Sequence, residues 1–177
     1  MTLNNCNFLI IHYSEFDFLL NRNQITGSVS NIESSSLDSD NPYINEIINY
    51  GDKKLISIDL DLFLRNIFPV KDGSAAKLSV IADISVFSGK NREIITEIIK
   101  VTSESCDRKY ISFSLSSQSE IKKIDIFSLK LFPLIFRKFY HQYGLLGCRF
   151  SEEGKIQYYT DIENLFFNAL LKKERIM

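Results

Sequence analysis

The 177 residues carry 45% hydrophobic side chains with only seven glycines and three prolines, which excludes a disordered chain and suits one folded unit, or two small subdomains sharing a core. A formal charge of −1 lacks the overall basic bias of a nucleic-acid binder. No stretch approaches the ~20 apolar residues of a membrane span, and the opening MTLNNCNFLII has no basic n-region.

The N-terminal run Phe8–Tyr13 predicts a buried strand. Ser14-Glu15 breaks it, and Phe16–Leu20 is its hairpin partner. Gln24–Ile32 predicts a third strand bent at Gly27. Ser34–Pro42, rich in Ser and Asp, predicts a solvated loop. Tyr43–Asn49 leads into a module that occurs twice, as GDKKLISIDLDLFLRNIF (Gly51–Phe68) and GKIQYYTDIENLFFNALL (Gly154–Leu171). In each copy an apolar strand ends at an aspartate, Asp59 or Asp161, placed to cap a short helix. Leu60, Phe63, Leu64 and Ile67 match Ile162, Leu165, Phe166 and Ala169 at i, i+3, i+4, i+7, one buried helical face.

Between the copies, PVKDGSAAK (Pro69–Lys77) predicts a loop and Leu78–Phe87 a strand. Glu93–Lys100 (EIITEIIK) fits a helical face through Ile94, Ile95, Ile98 and Ile99, but its β-branched density favours a strand. Tyr110–Leu115 and Glu120–Phe132 predict strands, the latter stopped by Pro133. Leu134–Tyr143 is a basic aromatic connector. Leu145–Phe150, the SEEG turn and Ile156–Thr160 form a closing hairpin before the last helix, whose Lys172, Lys173 and Arg175 suit a helix C-terminus. About ten strands with two helices favour small barrels or a sandwich over a doubly wound sheet.

Enzyme-like chemistry is thin. Asp59 and Asp61 would share a strand face and could hold Mg²⁺, yet the second copy repeats the aspartate as a cap and carries Glu163 in the first helical turn. His12 lies in an apolar strand and His141 in the connector, without a nucleophile motif beside either. Cys6, Cys106 and Cys148 stand alone, without zinc spacing, and predict reduced, mostly buried thiols in a cytoplasmic protein. The connector's Arg137, Lys138 and aromatics read either as a protein-binding patch or as a cover for a barrel mouth.

Four stretches together resemble the CheW-like domain, the adaptor fold of bacterial chemotaxis. FLIIHYSEFDFLLNRNQITGSV resembles its opening hairpin and next strand, and IINYGDKKLISIDLDLFL its signature N-L-R-G-x-x-x-P-V-I-D-L. KYISFSLSSQSEIKKID resembles the later strand pair, and YGLLGCRFSEEGKIQYYTDIENLF the closing hairpin and helix. The departures are Tyr50 where the family has arginine, Leu55, Ile56 or Ser57 where it has proline, Leu115-Ser116 for its Val-Asp, and extra length over 78–100.

The resemblance implies a mostly β fold of two five-stranded barrels with a C-terminal helix. It implies one domain over 1–177, with subdomains near 20–75 and 76–160 and terminal segments crossing between them. It further implies a non-catalytic, cofactor-free adaptor that joins a CheA-type histidine kinase regulatory domain to the cytoplasmic tip of chemoreceptors. Neither nucleic acid nor membrane insertion is implied. Its partner-binding residues would be Asn49, Tyr50, Gly51 and Lys53 in the signature, with Gly147 and Arg149 in the closing hairpin. The missing arginine favours an alternative, a degenerate relative serving another signalling partner; a hydrolase using Asp59 and Asp61 is a third reading.

Overall fold

The computed structural model describes residues 5–13, 15–65, 68 and 76–171. Its strands are β1 (Asn5–Tyr13), β2 (Phe16–Asn21), β3 (Ile25–Ser30), β4 (Ser34–Ser36), β5 (Ile44–Tyr50), β6 (Lys53–Asp59), β7 (Lys77–Asp83), β8 (Tyr110–Ser116), β9 (Gln118–Asp125), β10 (Lys130–Leu131), β11 (Leu145–Phe150) and β12 (Ile156–Thr160). The helices are α1 (Leu60–Leu64), α2 (Gly89–Thr102), α3 (Leu134–His141) and α4 (Ile162–Leu171).

The strands form two six-stranded sheets, ordered β10-β11-β12-β2-β1-β9 and β3-β7-β8-β6-β5-β4. Most neighbours are antiparallel, but β12 pairs with β2 and β6 with β8 in parallel. The expected barrels are therefore sheets of six strands rather than five, and neither order closes on itself. Both sheets nevertheless curl. Only residues 31–33 join the edge strands β3 and β4, a reach of about 14 Å, whereas the edges of a flat six-stranded sheet lie about 24 Å apart. Residues 126–129 impose the same curl between β9 and β10.

The expected subdomain border near residue 75 does not coincide with the sheets. β7 and β8 lie with β3–β6, and the first sheet combines the two ends of the chain, β1–β2 and β9–β12.

The main core lies between the sheets and the helices. It takes Leu9, Ile11, Phe16 and Phe18 from one sheet, Ile56, Ile58, Phe113 and Leu115 from the other, and the buried faces of α1, α2 and α4. Alternation puts the opposite faces into smaller clusters, Phe8, Ile10, Leu19 and Ile124 on the first sheet and Ile48, Leu55 and Ile81 on the second. The predicted helical faces pack as expected at Leu60, Phe63, Leu64, Ile162, Leu165, Phe166 and Ala169. Ile67, most of the 69–77 loop and the basic residues after Leu171 lie outside the described residues.

Asp59 caps α1, its Oδ1 accepting from the Leu62 amide at 2.8 Å, while Asp61 Oδ2 accepts from the Ser116 amide at 2.9 Å. Asp161 Oδ1 accepts from the Glu163 amide at 3.0 Å. The device is more general than two copies. Asn21, Asp83 and Asp125 also end strands, and each accepts from the amide two residues on at the start of a 3-10 turn.

Those caps explain two departures from expectation, and others arise elsewhere. The run Leu78–Phe87 is β7 followed by a 3-10 turn at Ile84–Val86, and the long strand over Glu120–Phe132 breaks at Asp125 into β9, a turn and β10. Ser34–Ser36 pairs along β5 as an exposed edge strand rather than lying in a loop. Glu93–Lys100 lies within α2. Ile95 and Ile99 are buried while Lys90, Arg92, Glu93, Glu97 and Lys100 stay outside, so the helical period outweighs β propensity. The connector is α3, begun by Pro133.

Candidate functional site

The β5–β6 hairpin carries Asn49, Tyr50, Gly51 and Lys53. Tyr50 pairs with Lys53 and Asn49 with Lys54, leaving Gly51-Asp52 as a two-residue turn. Gly51 has φ +62°, the first-position conformation that a II′ hairpin requires. Asn49 is exposed at the side chain, and its amide donates to the Glu33 carbonyl at 3.0 Å. Tyr50 does not project freely from the hairpin. It is half-buried against Ile48, Leu55 and Ile81, with its hydroxyl 3.2 Å from where a Cβ on Gly27 would lie.

Lys53 is the centre of a charged and aromatic cluster that its spacing in sequence does not reveal. Its Nζ lies 3.3 Å from Asp107 Oδ2 and 4.2 Å from the Tyr110 ring centroid. Lys109 approaches the same ring at 5.2 Å and pairs with Asp83 at 3.4 Å. Asp107 Oδ1 accepts from the Lys109 and Tyr110 amides at 2.7 and 3.1 Å, and its own amide donates to the Lys54 carbonyl. The 103–109 turn is thereby tied to the hairpin. Asp83, Asp107, Lys109 and Tyr110 were not among the predicted contacts. The one signal available was the strand-ending aspartate before an Ile or Leu, which Asp83 shares with Asp59 and Asp161.

Gly147 and Arg149 lie on β11 of the other sheet, so the six predicted residues form two separate groups. Gly147 faces β10 so closely that a Cβ would come 2.9 Å from Leu131 Cα and closer still to the Lys130 carbonyl oxygen. Its role is backbone approach. Arg149 donates from Nη1 to Ser128 Oγ at 3.0 Å and stands opposite Gln157. Gln157 donates to the buried Asp17, which also accepts from Lys155 and lies 3.1 Å from His12 Nδ1.

Burial opposes the charge of Asp17, but hydrogen bonds from Gln157, Lys155 and His12 outweigh it and hold its carboxyl below the usual range. Glu46 is likewise desolvated yet lowered, by Lys77 and Ser114, and Asp107 by the Lys109 amide, Lys53 and the Tyr110 amide. A depressed native pKa contributes stability that is complete above the unfolded value, about 4, and is lost as pH falls through the folded one. Asp161 runs the other way, because burial raises it, so its charging opposes folding above that same pH. Asp83 is lowered too, by hydrogen bonds from Ser85 and Lys109 that outweigh its desolvation, so with four carboxylates lowered against one raised the melting temperature is expected to fall between pH 5 and pH 3. Thermal melts across that range check it, and an unchanged Asp17→Asn profile would remove Asp17 from the explanation.

A second surface feature is a cleft of about 800 Å³ between α2, the C-terminal end of α4 and the 38–41 segment. Its wall is apolar through Ile44, Ile94, Ile98 and Leu170. Asn41 braces that segment, donating to the carbonyls of Ala169 and Leu170 at 3.1 and 2.8 Å.

No family model matches the sequence, and no curated protein matches it. Solved structures do. The crystal structure of the scaffolding protein TtCheW from Thermoanaerobacter tengcongensis superposes with a TM-score of 0.63 at 13% identity, covering 98% of this chain and 98% of that one. The chain thus has a CheW-like fold, mostly β, at a sequence distance that hides it from direct comparison. Among the described residues, no helix is long and apolar enough to cross a membrane.

Proposed function

We propose that the chain is a single CheW-like domain, 1–177, acting as a non-catalytic cytoplasmic adaptor of bacterial chemotaxis. It would join a CheA-type histidine kinase regulatory domain to the cytoplasmic tip of chemoreceptors. The observation that carries this reading is the likeness to a scaffolding protein over nearly the whole of both chains. Its mechanism would be placement: holding two weak partners on one rigid body raises their effective concentration. Asn49, Gly51 and Lys53 would meet one partner and the β11 hairpin with Arg149 the other, since the two groups sit on different sheets. Co-sedimentation of the purified protein with receptor and kinase arrays tests the reading; no enrichment with either partner removes it.

A second reading is favoured by Tyr50, whose ring packs against Ile48, Leu55 and Ile81 where the family pattern has arginine. Here the fold is kept, receptor coupling is lost, and another signalling protein is bound. Tyr50→Arg separates the two. A gain of receptor binding supports the lost-coupling reading, and no change points to a different surface.

A further inference from the structure

The helix α3 is amphipathic in the wrong sense for a monomer. Leu134 and Ile135 are 78% and 82% exposed, and Phe139 is 50% exposed. The ring that points inward is Tyr140, stacked on Phe132 at 4.3 Å between centroids. Along this stretch of chain the charge has one sign. The sequence from Ile126 to Ser151 contains no Asp or Glu, while Lys130, Arg137 and Lys138 fall on or beside the helix. An exposed helix with this pattern is an anchor for an apolar groove with an acidic rim.

The same chain supplies such a groove. The cleft beside α2 is rimmed by Asp38, Asp40 and Glu97, and among the described residues neither Lys nor Arg lines it. Its apolar lip stays open to solvent, with Val101 80% exposed and Leu171 47% exposed. The volume, about 800 Å³, lies in the range that accepts several large side chains.

We infer that α3 of one copy docks in the α2–α4 cleft of a second copy. Leu134, Ile135 and Phe139 enter against Ile98 and Val101, and Lys138 and Arg137 lie over Glu97, Asp38 and Asp40. The contact joins two different surfaces, so each copy keeps one of each to offer. The proposal is independent of which signalling partners the chain serves.

Analytical ultracentrifugation of the whole chain tests it. The wild type is expected to self-associate with concentration. Leu134→Gln/Ile135→Gln and Val101→Gln alter exposed positions and leave the fold intact by circular dichroism, and each is expected to weaken association by about tenfold or more. An equimolar mixture of those two variants restores a one-to-one complex, since each retains the surface the other has lost. Lys138→Glu and Glu97→Lys each weaken it, and the double variant recovers. A wild type that stays monomeric up to about 1 mM overturns the proposal, as does an oligomer unmoved by either variant. Two other outcomes also overturn it: a monomer that sediments with phosphatidylserine vesicles through α3, and a monomer that associates only when ended at Leu171, which would give the cleft to the chain's own last residues.

Discussion

Gly144→Ala is expected to cost about 2–5 kcal/mol, against about 1–2 kcal/mol for Gly154→Ala. Both glycines have positive φ, +74° and +80°, so the backbone penalty for an L side chain is common to the two. Space separates them. A Cβ at Gly154 meets nothing within 4 Å, whereas at Gly144 it would lie 2.8 Å from the Asp161 carbonyl oxygen and 2.9 Å from Leu165 Cβ and N. These are backbone and first side-chain atoms at the start of α4, held by the bond from the Asp161 amide to the Gly144 carbonyl at 2.7 Å. They cannot rotate aside, so the helix has to move. Urea unfolding of the two variants measures the difference, and equal losses would mean that the α4 junction yields without cost.

Phe166→Ala is expected to lose about 3–5 kcal/mol, the usual cost of emptying a fully enclosed aromatic site. Phe166 has no exposed surface and lies 5.5 Å from the Phe113 ring of β8 and 6.2 Å from Phe87. It is where α4 grips the second sheet. Phe139→Ala, on the half-exposed face of α3, is the matched control and should stay within about 0.5 kcal/mol in the monomer. Should the two variants melt together, the helix–sheet contact would contribute far less than its burial implies.

The features legible in the sequence were those with a local cause. The paired strand–Asp–helix copies could be read because capping and the i, i+3, i+4 face are both short-range signals, and Gly154 marked the closing turn. Ile94, Ile95, Ile98 and Ile99 were ambiguous because the same four residues satisfy a helical stripe and a β-branched run. Only the charges beside and among them, Arg92, Glu93 and Glu97 facing water, decide for α2. Asp125 was hidden inside an apolar alternation, although it caps a turn as Asp83 does. What no local pattern carries is which segments share a sheet. The separation of Lys53 from Arg149, and the meeting of Lys53 with Asp107 and Tyr110, depend on β6 lying beside β8 and β11 beside β12.

The parallel pairing of β2 with β12 has a consequence for synthesis. The β1–β2 hairpin is made well before the strands that flank it, β9 and β12. At ~5–20 residues per second the wait is about 5–30 s, and a lone two-stranded hairpin is marginal in water. The other sheet draws only on continuous chain from Ile25 to Ser116, so it can mature while Phe8, Ile10 and Leu19 still lack their neighbours. Vectorial translation thus completes the second sheet before the first, and leaves the β1–β2 hairpin as the stretch that waits longest for its neighbours.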